Sequence, residues 1–149
     1  MHFRYRLVRS NRPIVPLGGR YVRPRPIVTV TLVSPVGSWP EDALVDTAAD
    51  DTVFAEAVAR KIGIDLRNAP QGLGSGAGLA TLPLLYAPVT LRLTDGQEFR
   101  QWTAWVGFTP APLPNPMLGF AGCLQFFTAT CHADREEVDL IVNPLYPGT

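Results

Sequence analysis

Two cysteines, two histidines and one lysine are all that the 149 residues contain of those types. Cys123 and Cys131 form no CxxC pair, and with only His2 and His132 beside them they offer no ligand set at metal-binding spacing, so no metal site is expected. The two thiols could pair, but a reduced cysteine is the commoner state outside secretory compartments. No apolar run approaches the length of a membrane span. The opening Met1-His2-Phe3-Arg4 lacks the basic, apolar and small regions of a signal peptide, so a cytoplasmic protein is the expectation. Acids are absent from the first forty residues, and Glu41 is the first to occur.

What is present suits a globular chain. Apolar residues make up 46% and charged residues 17%, and the length fits one domain. The formal net charge is zero but unevenly spread. Arg4, Arg6, Arg9, Arg12, Arg20, Arg23 and Arg25 give +7 before Glu41; from there on six Lys/Arg face thirteen Asp/Glu, a balance of −7. Pro13, Pro16, Pro24 and Pro26 argue against a helix in the basic arm. A nucleic-acid arm is conceivable, yet aromatics and lysine are sparse there. The arginines are expected to solvate an extended segment and pair with the acidic body, with no nucleic-acid or membrane partner.

The chemistry concentrates in Ala43-Leu44-Val45-Asp46-Thr47-Ala48-Ala49-Asp50-Asp51-Thr52-Val53-Phe54. An apolar run delivers Asp46 into a turn of small residues, Thr47 can tie that turn through its hydroxyl, and Ala48 and Ala49 admit close backbone. A strand end capped by an Asx-turn would explain a lone Asp-Thr, but not the twelve-residue pattern. The segment resembles the active-site loop of the retroviral-type, or retropepsin-like, aspartic proteases, whose motif is Asp-Thr/Ser-Gly/Ala inside an apolar strand. Met117-Leu118-Gly119 resembles the apolar-apolar-Gly element those proteins place beside that loop. The resemblance runs from about Arg25 to Pro144 and is closest in layout to the cellular DNA-damage-inducible-type members.

It implies an all-β fold, a closed β-barrel or sandwich with a flap hairpin and one or two short helices, assembled as a two-fold homodimer with no metal or organic cofactor. Residues 1–24 would be a basic Pro/Arg-rich arm and residues 25–149 the protease domain. Such catalysis needs two carboxylates at contact distance sharing one proton, because both cannot ionise together. One then activates a water while the other hydrogen-bonds the scissile carbonyl. This chain carries a single motif, so the second carboxylate must be the Asp46 of another copy across a two-fold axis. Thr47 and Ala48 would support the loop. Ala49, Asp50 and Asp51 would line the cleft, where an extended peptide would add as a strand. Two departures stand out: Ala48 occupies the Gly position, and Phe120 stands where viral members often have an arginine paired with the acid matching Asp50. Asp50 then needs a partner from the N-terminal arm or remains free for substrate.

The rest of the chain reads mainly as strands. Phe3–Val8 alternates as an edge strand, and Asn11–Pro26 reads as irregular. Ile27–Val33 puts Val28, Val30 and Leu32 on one face. Phe54, Ala57, Val58 and Ile62 recur at helical spacing, with Thr52 as N-cap and Gly63 as the stop. Asp95-Gly96 predicts a hairpin turn between Val89–Leu93 and Phe99–Phe108, with Trp102 and Trp105 on opposite faces. A short helix is expected over Gly119–Phe126, then strands Phe127–Ala133 and Glu136–Val142. Gln71–Gly78 alternates glycine; no helix follows it, so a phosphate loop is disfavoured. An ordinary surface loop is one reading. A mobile tip is the other, with Gly74, Ser75, Gly76, Ala77 and Gly78 as the flap over substrate. The function expected is an aspartic endopeptidase; the alternative is a non-catalytic homodimeric peptide-binding module on the same fold.

Overall fold

The computed structural model describes residues 1–75 and 81–148, the side chain of Ser75 excepted. Twelve strands dominate it, with one short α-helix and two 3-10 turns. In chain order the strands are β1 (His2–Arg4), β2 (Arg6–Ile14), β3 (Arg20–Arg25), β4 (Ile27–Ser34), β5 (Gly37–Val45) and β6 (Val53–Ala55). The helix α1 (Glu56–Lys61) follows, then β7 (Gln71–Ser75), β8 (Thr81–Thr94), β9 (Phe99–Thr109), β10 (Met117–Leu118), β11 (Phe127–His132) and β12 (Glu137–Val142).

The main sheet runs β4-β5-β10-β6-β9-β8-β7, and β4 also pairs with β8, so six strands close on themselves as a barrel. Strand periodicity fills it. Val28, Val30 and Leu32 of β4 are almost fully buried, as are Val89, Leu91 and Leu93 of β8, while Thr29 faces solvent. Phe54 and Phe108 pack at 6.3 Å across the parallel β6–β9 pair. Trp102 is 2% exposed and Trp105 56%, the opposite faces that their odd spacing requires.

A second sheet, β1-β12-β11, brings both ends of the chain together. Trp102 joins it to the barrel: its ring lies edge-on to Phe127 at 5.2 Å and to Tyr146 at 6.3 Å, and its indole N–H donates to the Gly122 carbonyl at 2.8 Å. Cys123 is buried and Cys131 exposed, and both are free thiols. No helix among the described residues is long and apolar enough to cross a membrane.

Three local expectations need correction. The stretch Asn11–Pro26 is not irregular: β2 and β3 form an antiparallel hairpin, with Leu7 opposite Pro24 and Arg9 opposite Val22. Both strands belong to a two-stranded sheet, where proline costs no interior ladder bond. The helix after the motif is shorter than its periodicity suggests. Phe54 is in β6, held parallel to β9, so α1 starts at Glu56 with Ala55 as its N-cap and no side-chain cap from Thr52. The third is Gly119–Phe126, which contains only a 3-10 turn at Leu124–Phe126. Gly122 adopts φ +91°, which ends right-handed helix geometry there.

Candidate active site

Asp46 is where β5 stops. Val45 and Leu118 pair in the parallel β5–β10 ladder, and the Asp46 amide donates to the Leu118 carbonyl at 3.1 Å. The chain then turns sharply: the Ala49 amide donates to the Asp46 carbonyl at 3.2 Å, and the Ala48 amide to Asp46 Oδ1 at 3.0 Å. The second contact is the Asx-turn that a lone Asp-Thr would make. It orients the carboxyl; it does not account for the surroundings.

Those surroundings are built by the crossing of Gly119. The Phe120 amide donates to the Ala49 carbonyl at 2.9 Å, the Ala121 amide to the Asp50 carbonyl at 2.8 Å, and the Thr52 amide to the Ala121 carbonyl at 2.9 Å. A Cβ on Gly119 would lie 2.3 Å from the Asp51 carbonyl oxygen and 2.8 Å from that of Ala49. Only glycine fits so close a backbone crossing. Thr52 is fully buried beneath the loop, and its hydroxyl donates to the Gly119 carbonyl at 3.4 Å. The motif turn is thus stitched to a second segment by main-chain bonds, an arrangement that fixes a carboxyl in place.

A cleft of about 360 Å³ opens above it. Asp46, Ala48, Ala49, Asp50 and Asp51 form one wall; Gly74, Leu82 and Leu84 of the β7–β8 hairpin face them, with Val53 and Met117 beneath. Thr47 is exposed and does not line it. Ser75 is placed only by its backbone, opposite Thr81, while Gly76, Ala77 and Gly78 lie outside the described residues. Carboxylates thus meet an apolar strand pair, a setting suited to a peptide with both main-chain polarity and side-chain bulk.

Among the described residues none of Asp46, Asp50 and Asp51 forms an ion pair. The N-terminal arm does not reach Asp50; its Arg6 instead pairs with Asp42 and donates to the Thr29 hydroxyl at 2.6 Å. Asp42 is held below its ordinary range, first by the Thr29 hydroxyl and then by Arg6. Asp51 accepts a hydrogen bond from the Tyr86 hydroxyl at 3.1 Å. Burial, and then that carboxylate, push the Tyr86 phenol above its usual value.

Sequence reasoning missed Tyr86, Leu82 and Leu84. Their every-second-residue spacing in Thr81–Tyr86 was the available signal, since one face of a strand carries alternate residues. A larger hollow of about 660 Å³ lies elsewhere, lined by Trp39, Lys61, Glu41 and the Leu113–Pro116 loop. It is shallow and holds no motif residue, so size does not identify the site.

No family model matches the chain, and no curated protein matches it. Among solved structures, one of EIAV protease in complex with the inhibitor HBY-793 is similar at a TM-score of 0.48 and 26% identity, over 64% of this chain and 81% of that one. A superposition of that quality assigns neither a family nor a chemistry.

Proposed function

We propose that the chain is a retropepsin-like aspartic endopeptidase in which two copies each contribute one Asp46. The observation that carries this is the placement of Asp46: at a strand end, in a turn braced by Gly119, on the wall of a cleft faced by a strand hairpin. The dyad would hold one proton, activate a water and donate to the scissile carbonyl. Asp50 and Asp51 would meet substrate main chain, and Leu82 and Leu84 its side chains. The β7–β8 hairpin would act as the flap. The alternative, a peptide-binding module without catalysis, has no feature of the site in its favour, because Asp46 is intact and accessible.

The test is Asp46→Asn. Asn keeps the Asp46 shape and can still accept from the Ala48 amide, but it cannot share a proton or activate water. Cleavage of a mixed peptide library should fall to background while circular dichroism and melting temperature stay within a few degrees. Cleavage retained by purified Asp46→Asn protein would overturn the assignment.

A further inference from the structure

The β2–β3 hairpin is a ribbon with almost no core. No residue from Arg6 to Arg25 joins the hydrophobic core, and Ile14 is its only buried residue. Neither strand pairs with any other strand among the described residues. Two-stranded hairpins are marginal in water, and this one sets Arg6 directly opposite Arg25, a like-charge pair that costs stability. Among the described residues the expected pairing of its arginines with the acidic body is confined to Arg6 and Asp42. Among the described residues Arg9, Arg12, Arg20 and Arg23 are exposed and have no carboxylate within ion-pair distance.

We infer that this ribbon is a docking site for an acidic, extended polypeptide segment, which the protein would present to its cleft. Charge complementarity gives the sign, because the ribbon carries six arginines and no acid between Arg6 and Arg25. Its open edges give the form. Unpaired main-chain N–H and C=O groups along β2 can accept an added strand, and β2 has no proline before Pro13 to interrupt them. Exposed Leu7 and Tyr21, each 57% accessible, lie among the cations and favour a partner with apolar as well as acidic side chains. Position links it to the site: the Val45 amide, one residue before Asp46, donates to the carbonyl of Pro26 at the ribbon's root, at 2.8 Å. A nucleic acid fits less well, since Tyr21 is the only aromatic on the ribbon and single strands bind on stacked aromatics.

This deepens the protease reading, on which it rests only for the segment's fate as substrate. The test therefore uses the full-length Asp46→Asn protein, so that binding is measured whether or not cleavage occurs. The probe is a fluorescein-labelled peptide repeating Glu-Glu-Val-Val, which as a strand carries glutamate on both faces as Arg9 and Arg23 require, followed by anisotropy, beside a Lys-Lys-Val-Val repeat and a labelled oligouridylate. Binding of the acidic peptide should weaken with added salt. It should fall roughly tenfold when Arg9 and Arg23 are both changed to Gln, the scale of losing two or so exposed ion pairs. Both side chains are exposed and neither forms an ion pair among the described residues, so the melting temperature should not drop. Absence of acidic-peptide binding, undiminished binding by the Gln variant, or tighter binding of the oligouridylate would each overturn the inference. So would a change in oligomeric state of the Gln variant without peptide, which would assign the ribbon to contact between copies.

Discussion

At the scale of single residues, Gly119 constrains the site as much as Asp46 does. Asp46 supplies the carboxyl, but its direction depends on a backbone crossing that leaves no room for a Cβ. Gly119→Ala would drive a methyl into the carbonyls of Asp51 and Ala49, which are main-chain atoms and cannot rotate away. The expected cost is on the order of 3 kcal/mol. Urea unfolding should show it as a lower midpoint with an unchanged slope. Any cleaving activity should fall by more than the loss of folded protein explains, because the Asp46 turn is displaced. Stability within experimental error of the parent would mean that the crossing yields easily.

At the scale of elements, the β7–β8 hairpin and the terminal sheet make separate predictions. Gly74 lies in the cleft wall, and a Cβ there would stand 3.2 Å from Leu84 Cδ1, a side-chain end that can give way. Gly74→Val should therefore leave the barrel's melting temperature within a few degrees while narrowing the cleft. Peptide affinity and turnover should both fall several-fold in steady-state assays. Unchanged kinetics would show that the hairpin does not cover bound peptide.

In the terminal sheet His2 Nδ1 lies 2.6 Å from Asp139 Oδ1, while His132 Nε2 lies 2.9 Å from Asp139 Oδ2. The Asp139 hydrogen bond, opposed by partial burial and aided by the charges of Glu137 and Asp139, raises the His2 pKa above 6.5. A raised histidine stabilises most below its unfolded value and loses that contribution as pH rises through the folded one. The docking of β1 on β12 should thus loosen as pH rises past the ordinary histidine range. Amide exchange in His2–Arg4, corrected for its intrinsic pH dependence, should show protection falling over that range. His2→Asn should remove the trend; a pH-independent opening in the parent would rule the histidine out.

At the scale of the whole molecule, one chain holds one Asp46, and the proposed chemistry needs two carboxyls. Specific activity should then fall on dilution below the dimer dissociation constant. Mixing parent with excess Asp46→Asn protein should poison it further, since mixed dimers hold one competent carboxyl. Full specific activity from a species shown to be monomeric by sedimentation would refute a shared site.

Much of this was legible in the residues because it is local. The alternation of Val28, Val30 and Leu32 determined the inward face of β4, since strand geometry sends every second side chain the same way. Asp95-Gly96 determined the turn between β8 and β9, and the Asp-Thr-Ala triplet determined a carboxyl in a turn of small residues. Distant partners decided the rest. Phe54 fits a helix by spacing, but pairing with Phe108 on β9 makes it strand. Gly122 reads as a weak helix residue, but its left-handed backbone, φ +91°, excludes a helix there. The arginines of the N-terminal ribbon read as partners for the acidic body, yet the hairpin leaves most of them exposed. Tyr86 meets Asp51 only because β8 folds back beside the motif turn, a contact between residues thirty-five positions apart. Spacing along a chain specifies which face a side chain takes; which other segment meets that face depends on how the sheets close.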